Sequence, residues 1–298
     1  MKDQIINHNL KSGYSIFMCF VFMSFSLINC KSQKVVITQF HKTPPPNGIE
    51  ITNGWYADRS EVSNINYREF LHFIKHHYSD STRYLKMLPD TTVWKELGEN
   101  MSRFVTDYLR NPDYEDWPVV GVSYEQAVEY TKWRTDRVME MILITQGIRK
   151  MNNDARDEEV FTIAKYFEKD INKLSKNIQV RSYYHFDLPS KEEWDIIVKY
   201  QESLYSIPKC IDSLIVSQGQ FLNAVKVNND IEGCVNVKYN EMFHVKGNVC
   251  EWIKDGKMCG GGSFLQSLDH IKATRFFGVR DPKVWVGFRN VCRFKEWE

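Results

Sequence analysis

Cysteine is the residue type with the most chemistry to offer in this chain. Cys19 and Cys30 lie near the N-terminus, and Cys210, Cys234, Cys250, Cys259 and Cys292 lie in the C-terminal third. Paired thiolates hold soft metal ions such as copper(I), and in an oxidising compartment the same pairs close disulfides. With Cys19 and Cys30 set aside for reasons given below, five remain. An odd count leaves at least one thiol free, and spacing does not fix the connectivity. The plainer alternative is burial, because a free cysteine behaves as a small hydrophobe. Arg59, Arg289 and Arg293 are candidate anion ligands, although the rigid fork of Arg289 better suits a buried structural contact. His76 and His77 are adjacent, so on a helix they point to different faces and read as surface residues. The sequence contains no P-loop, G-x-S-x-G, H-E-x-x-H or G-x-G-x-x-G motif. Lys and Arg number 39 against 38 Asp and Glu, a net charge of +1 that gives no footprint for nucleic acid.

The elements that would carry these residues begin after a distinct N-terminus. Lys2 and Lys11 precede Tyr14–Ile28, fifteen residues without a charge. That run is short for a bilayer span, which needs ~20 residues, and it fits the apolar region of a secretory signal. It ends in Leu27-Ile28-Asn29-Cys30, which resembles a lipoprotein signal, with residues 1–29 removed and Cys30 lipidated. Lys31 follows the cysteine, where Asp would suggest inner-membrane retention. The expected location is therefore the outer membrane, facing the periplasm. Residues 30–48, ending in Pro44-Pro45-Pro46-Asn47-Gly48, read as a tether.

The remaining residues, 49–298, read as one compact domain. The chain is 298 residues long, with 43% hydrophobic and 14% aromatic residues, which excludes a disordered or fibrous class. Ile51–Asp58 suggests a strand. Ser63 or Asn64 can cap a helix whose apolar face is Tyr67, Phe70, Leu71 and Ile74. Ser123-x-x-Gln126 is a capping-box pattern before Ala127, Tyr130, Thr131 and Arg134, with a helix running towards Gly147. Residues 150–178 are strongly charged, with apolar residues at helical spacing (Val160, Ile163, Ala164, Phe167, Ile171, Leu174), and predict an amphipathic helical insertion on the surface. Ser190-x-x-Glu193 opens another helix, with Trp194, Ile197 and Val198 on one face. Gly260-Gly261-Gly262 marks a tight passage, and Val284–Phe294 reads as a terminal strand.

Five segments in order resemble the formylglycine-generating enzymes, or sulfatase-modifying factors, over about 240 residues. They are Glu61–Asn64, Trp117–Ser123, Leu188–Trp194 (LPSKEEW), Gly247–Trp252 (GNVCEW), and Gly261–Phe264 with Gly287-Phe288-Arg289. The additional segments Leu88–Trp94 (LPDTTVW) and Lys132–Val138 (KWRTDRV) resemble the lipoproteins of bacterial gliding motility and type IX secretion.

The resemblance implies an α+β fold of C-type-lectin-like architecture, with few helices, short strands and extensive ordered loops. The enzymes of the family oxidise a client cysteine using oxygen and a copper(I) ion held by two cysteines. Aligned on Gly261-Gly262-Ser263, those two positions fall on Gln266 and Ile271, which supply no thiolate. The resemblance therefore implies a non-catalytic, lipid-anchored envelope scaffold, with no copper. Its partners would be other envelope proteins of a secretion or motility complex, and the membrane through its lipid. The alternatives are a divergent oxidase using relocated cysteines among Cys250, Cys259 and Cys292, or a lectin-like ligand binder. The iron-dependent members of the family need closely spaced histidines, and no such cluster is expected among the eight present. The family also implies a calcium ion held by the Glu61 and Glu251 carboxylates and the Gly247 and Val249 carbonyls, with His244 falling where the enzymes have an Asn.

Overall fold

Three consecutive prolines leave the entry segment with carbonyls to offer and few N–H groups. The domain supplies the donors. In the computed structural model, Tyr184 Oη donates to the Thr43 carbonyl and Arg134 Nη2 to the Pro46 carbonyl, both at 2.7 Å. Residues 43–48, expected as the end of the tether, are thus fastened to the domain. The structure describes residues 43–170, 182–204, 242–266 and 272–296. The expected signal segment 1–29, Cys30 and the expected tether as far as residue 42 lie outside them.

Residues 51–58, expected as one strand, instead belong to a hairpin of β1 (Gly48–Thr52) and β2 (Trp55–Asp58). The strands turn at Asn53-Gly54, with Gly54 at φ 72°, a dipeptide that suits tight hairpin turns. In α1 (Asn64–His77) the Ser63 side chain accepts from the Asn66 N–H, and Tyr67, Phe70, Leu71 and Ile74 are buried as their spacing predicts. Short helices follow: α2 (Ser81–Met87), a 3-10 turn over Thr91–Leu97, and α3 (Phe104–Asp107). Asp80 and Asp90 start the first two by accepting from the N–H groups of Thr82 and Thr92. In α4 (Tyr124–Thr145) both halves of the capping box form, Ser123 N–H to Gln126 Oε1 at 2.8 Å and Gln126 N–H to Ser123 Oγ at 3.2 Å.

Within the charged segment expected as helical over 150–178, the described residues before Ile163 do not form an α-helix. α5 covers Ile163–Asp170, while Ile171 and Leu174 lie outside the described residues. Its face is not merely superficial, because Phe161, Ile163 and Phe167 pack with Met139, Leu143, Tyr184 and Phe186 in one buried cluster. β3 (Ser182–Asp187) leads to α6 (Lys191–Leu204), whose capping box pairs Ser190 with Glu193. Then come β4 (Cys250–Trp252), β5 (Met258–Gly260), β6 (Phe277–Gly278), β7 (Val286–Gly287) and β8 (Val291–Glu296).

These strands form two sheets, ordered β1-β2-β8-β3 and β6-β5-β4-β7. The expected terminal strand 284–294 is therefore split. β7 runs parallel to β4 in the second sheet, and β8 lies antiparallel between β2 and β3 in the first. The crossing point is Phe288-Arg289-Asn290, all fully buried. No helix among the described residues is long and apolar enough to cross a membrane. The overall architecture is α+β, with few helices and short strands, as expected.

The KWRTDRV segment is spent on interior ties. Arg134 reaches Asp58, Asp136 accepts from the Ile163 N–H at 2.8 Å, and Arg137 Nη2 donates to the Phe161 carbonyl at 2.5 Å. Burial pushes the Asp136 carboxyl up from its ordinary 3.8 to about 6, against the pull of the Ile163 bond and the Arg137 charge. The folded state therefore holds this proton more tightly than the unfolded chain, so raising the pH from about 4 to about 6 removes stability. Asp136→Asn keeps an oxygen for Ile163 and has no proton to lose. Urea unfolding across that window should show a smaller decline with pH for the variant than for the wild type. Equal slopes contradict the assignment.

Candidate functional site

Where the two sheets meet, the chain buries three carboxylates and two guanidiniums. Asp58 ends β2, Glu61 follows it, and Glu251 is the middle residue of β4. All three are at most 2% exposed, Arg289 is 0% exposed and Arg134 9%. Charges this deep survive only when paired and hydrogen-bonded. Arg289 meets Glu251 fork to fork, Nε to Oε2 at 2.6 Å and Nη2 to Oε1 at 2.7 Å. Its remaining donors reach the Phe243 carbonyl at 2.8 Å and the Asp58 carbonyl at 3.2 Å. Asp58 Oδ2 in turn accepts from Arg134 Nη1 at 2.5 Å, Asn290 Nδ2 at 2.6 Å and Asn290 N–H at 3.1 Å. Burial pushes the Glu251 carboxyl up from its ordinary value, with Glu61 and Asp58 nearby adding to it, while the Arg289 charge and hydrogen bonds pull it down.

Glu61 has no arginine. Its Oε1 accepts from Asn248 Nδ2 at 2.9 Å, and its Oε2 faces His244 Nδ1 at 3.2 Å. His244, Gly247 and Asn248 all have positive φ, at 55°, 88° and 55°, so this loop is bent to bring its side chains inward. The loop is pinned from both sides, Gly247 N–H to the Gly261 carbonyl at 2.9 Å and Phe264 N–H to the Asn248 carbonyl at 2.8 Å. The Gly261 carbonyl can approach because its residue has no side chain. At φ 96°, a Cβ there would lie 2.8 Å from the Val245 carbonyl and 3.0 Å from the Trp194 ring.

Of the residues expected to hold calcium, Glu61, Gly247, Val249 and Glu251, the two carboxylates are engaged within the protein. Both carboxylates already carry protein donors, Arg289 on one and Asn248 with His244 on the other. Calcium takes 6–8 oxygens, and His244 puts a nitrogen where one would stand. Among the described residues no group of three or more His, Cys, Asp or Glu is placed to hold a metal.

The described cysteines are buried within the fold. Cys250 and Cys259 form a disulfide between β4 and β5, and both are 0% exposed. Spacing alone left this pairing open; the antiparallel register of Trp252 with Cys259 brings the two together. Cys292 is a free thiol in a different buried cluster, beside Tyr56, Met139 and Phe186. Burial pushes its thiol up, away from the reactive thiolate. Gln266 turns back on its own loop, its Oε1 accepting from the Ser263 N–H at 3.3 Å. Ile271, Cys210 and Cys234 lie outside the described residues.

Of the candidate anion ligands, Arg289 makes the buried structural contact expected of it. Arg293 Nε donates to Glu193 at 3.0 Å and stacks over Trp55, and Arg59 contributes backbone bonds to Asn47 and Phe243. His77 is not a plain surface residue, since its Nδ1 lies 2.8 Å from the Ala155 carbonyl and its ring stacks on Phe73. Sequence reasoning missed Asp58 and Asn290. Their only local signal was position, one at a strand end and the other next to Gly287-Phe288-Arg289. A shallow hollow of about 400 Å³ lies elsewhere, lined by Ile65, Arg68, Glu69, His72, Phe73, His77 and Trp133 on α1 and α4.

Residues 28–294 match the model of the sulfatase-modifying factor enzyme 1-like domain. Among solved structures, the crystal structure of CarF is similar to this chain at 18% identity, covering 80% of this chain and 86% of that one, with a TM-score of 0.35. No curated protein matches the chain significantly.

The hydrogen bonds already on the Glu61 and Glu251 carboxylates predict little gain from added calcium. The thermal unfolding midpoint should be the same in a calcium-selective chelator as in millimolar calcium, to within the roughly 2 °C that separates a real ΔΔG from noise in a domain of this size. A calcium-dependent rise of several degrees contradicts this reading of Glu61 and Glu251.

Proposed function

The chain belongs to the sulfatase-modifying factor enzyme 1-like family, and from that premise we propose that it is a non-catalytic member acting as a lipid-anchored envelope scaffold. The observation that carries this reading is the loss of the thiolate pair. In the alignment on Gly261-Gly262-Ser263 the positions fall on Gln266 and Ile271, neither of which ligates copper(I). Gln266 spends its amide oxygen closing a turn on Ser263. The remaining described thiols offer no substitute, since two are joined in a buried disulfide and the third is buried apart from them. An intact disulfide also agrees with a chain exported from the reducing cytoplasm.

Within the family, the LPDTTVW and KWRTDRV segments support placement beside the gliding-motility and type IX secretion lipoproteins. The Leu27-Ile28-Asn29-Cys30 sequence supports attachment through Cys30 to the outer membrane, facing the periplasm. The partners are then other envelope proteins of such a machine, held by a rigid domain with broad loop surfaces and involving no nucleic acid.

Three measurements test this together. Cells fed a radiolabelled or clickable fatty acid should label the wild type but not Cys30→Ser, and only the wild type should sediment with outer membranes. Purified, reduced protein supplied with copper(I) and a cysteine-containing peptide should consume no dioxygen. Turnover that disappears in Cys250→Ser or Cys292→Ser overturns the scaffold reading in favour of an oxidase with relocated cysteines.

A further inference from the structure

The last two turns of α1 carry histidines at positions 72, 76 and 77. Residues 72 and 76 are four apart, so they share one face of the helix, and both are exposed. Their imidazole rings stack with centroids 3.9 Å apart and planes at 25°. His76 Nδ1 lies 3.0 Å from the His72 carbonyl oxygen. That contact makes Nδ1 the protonated nitrogen and leaves the Nε2 lone pair directed away from the helix, the same arrangement by which a backbone carbonyl orients a metal-ligating histidine.

We propose that His72 and His76 form a chelating site for a divalent transition-metal ion of the zinc, nickel or copper(II) class. Imidazole nitrogens suit these borderline ions. Two bonds of about 2.0–2.1 Å to one metal place their nitrogens on the order of 3–3.5 Å apart, a separation within reach of two exposed side chains one helical turn apart. The positive side chains that could compete for the space are turned to other partners. Lys75 sits over the Tyr84 ring, and Arg68 donates to the Arg110 carbonyl at 2.8 Å with Glu115 beside it. Exposed Glu69, one turn before His72 and lining the same hollow, adds a favourable negative potential. His77 takes no part, since it is held by Ala155 and Phe73. No third His, Cys, Asp or Glu among the described residues converges on the pair, so water fills the other positions. This site is separate from the polar centre and does not rest on the scaffold reading.

The test is calorimetric titration of the untagged full-length protein, solubilised in detergent, with zinc and with nickel. The wild type should bind one equivalent and unfold at a higher temperature when loaded. His72→Gln and His76→Gln should each weaken binding at least ten-fold, and the double variant should lose that equivalent. Both residues are exposed, so the metal-free variants should keep the wild-type circular dichroism and unfolding midpoint. The proposal fails if the wild type binds no metal, or if the double variant keeps wild-type affinity and stoichiometry.

Discussion

The fold closes around one ion pair in which neither partner touches water. Arg289 and Glu251 are both fully buried, and the cost of removing each charge from water is several kcal/mol. Geometry offsets that cost, because the two parallel bonds of the fork are joined by bonds to two backbone carbonyls, so each of the three guanidinium nitrogens has a partner. Those bonds reach four parts of the chain at once: β4, the end of β2, the loop at Phe243, and the crossing from β7 to β8. The C-terminal strand can leave one sheet and enter the middle of the other because Arg289 is anchored at the point of passage. Asp58 extends the same centre to α4 through Arg134 and back to the crossing through Asn290.

That arrangement bears on chemistry as well as shape. The loops at 244–249 and 260–266 lie against each other and beside the polar centre, and in the sequence they correspond to the family motifs that flank the copper cysteines. Here they are filled by self-contained contacts: His244 and Asn248 on Glu61, Gln266 on Ser263, and a disulfide beneath. In these two loops His244, Asn248, Gln266 and the cysteine pair are all held by contacts within the fold.

Helices and their starts were legible in the sequence because their signals are local. Ser63, Ser123 and Ser190 cap where the pattern places them, and the buried faces of α1 and α4 are those their spacing predicts. Elements set by long-range contacts were not legible. The apolar character of Ile51–Asp58 masked the Asn53-Gly54 turn, and the β-rich run 284–294 gave no sign that Arg289 divides it between two sheets. The helical spacing of 150–178 placed the start of α5 too early, since the residues before Ile163 bury Val160 and Phe161 in an irregular path. In the candidate site, Glu61, Glu251 and the nearby loop were found by family resemblance, whereas Asp58, Arg134 and Asn290 became partners only through contacts spanning 76 and 232 residues of sequence. The Cys250–Cys259 pairing depends in the same way on strand register, which nothing in the spacing of the cysteines reveals.

The claim that the domain is braced by its own buried charges is tested most directly by a double-mutant cycle on Arg289→Met and Glu251→Gln, read by urea unfolding. Each single change strands a partner and should cost about 3–5 kcal/mol. Because the two side chains act as one unit, the double variant should cost well under the sum, leaving a coupling energy of at least ~1 kcal/mol. Strict additivity, or single variants as stable as the wild type, would contradict the account.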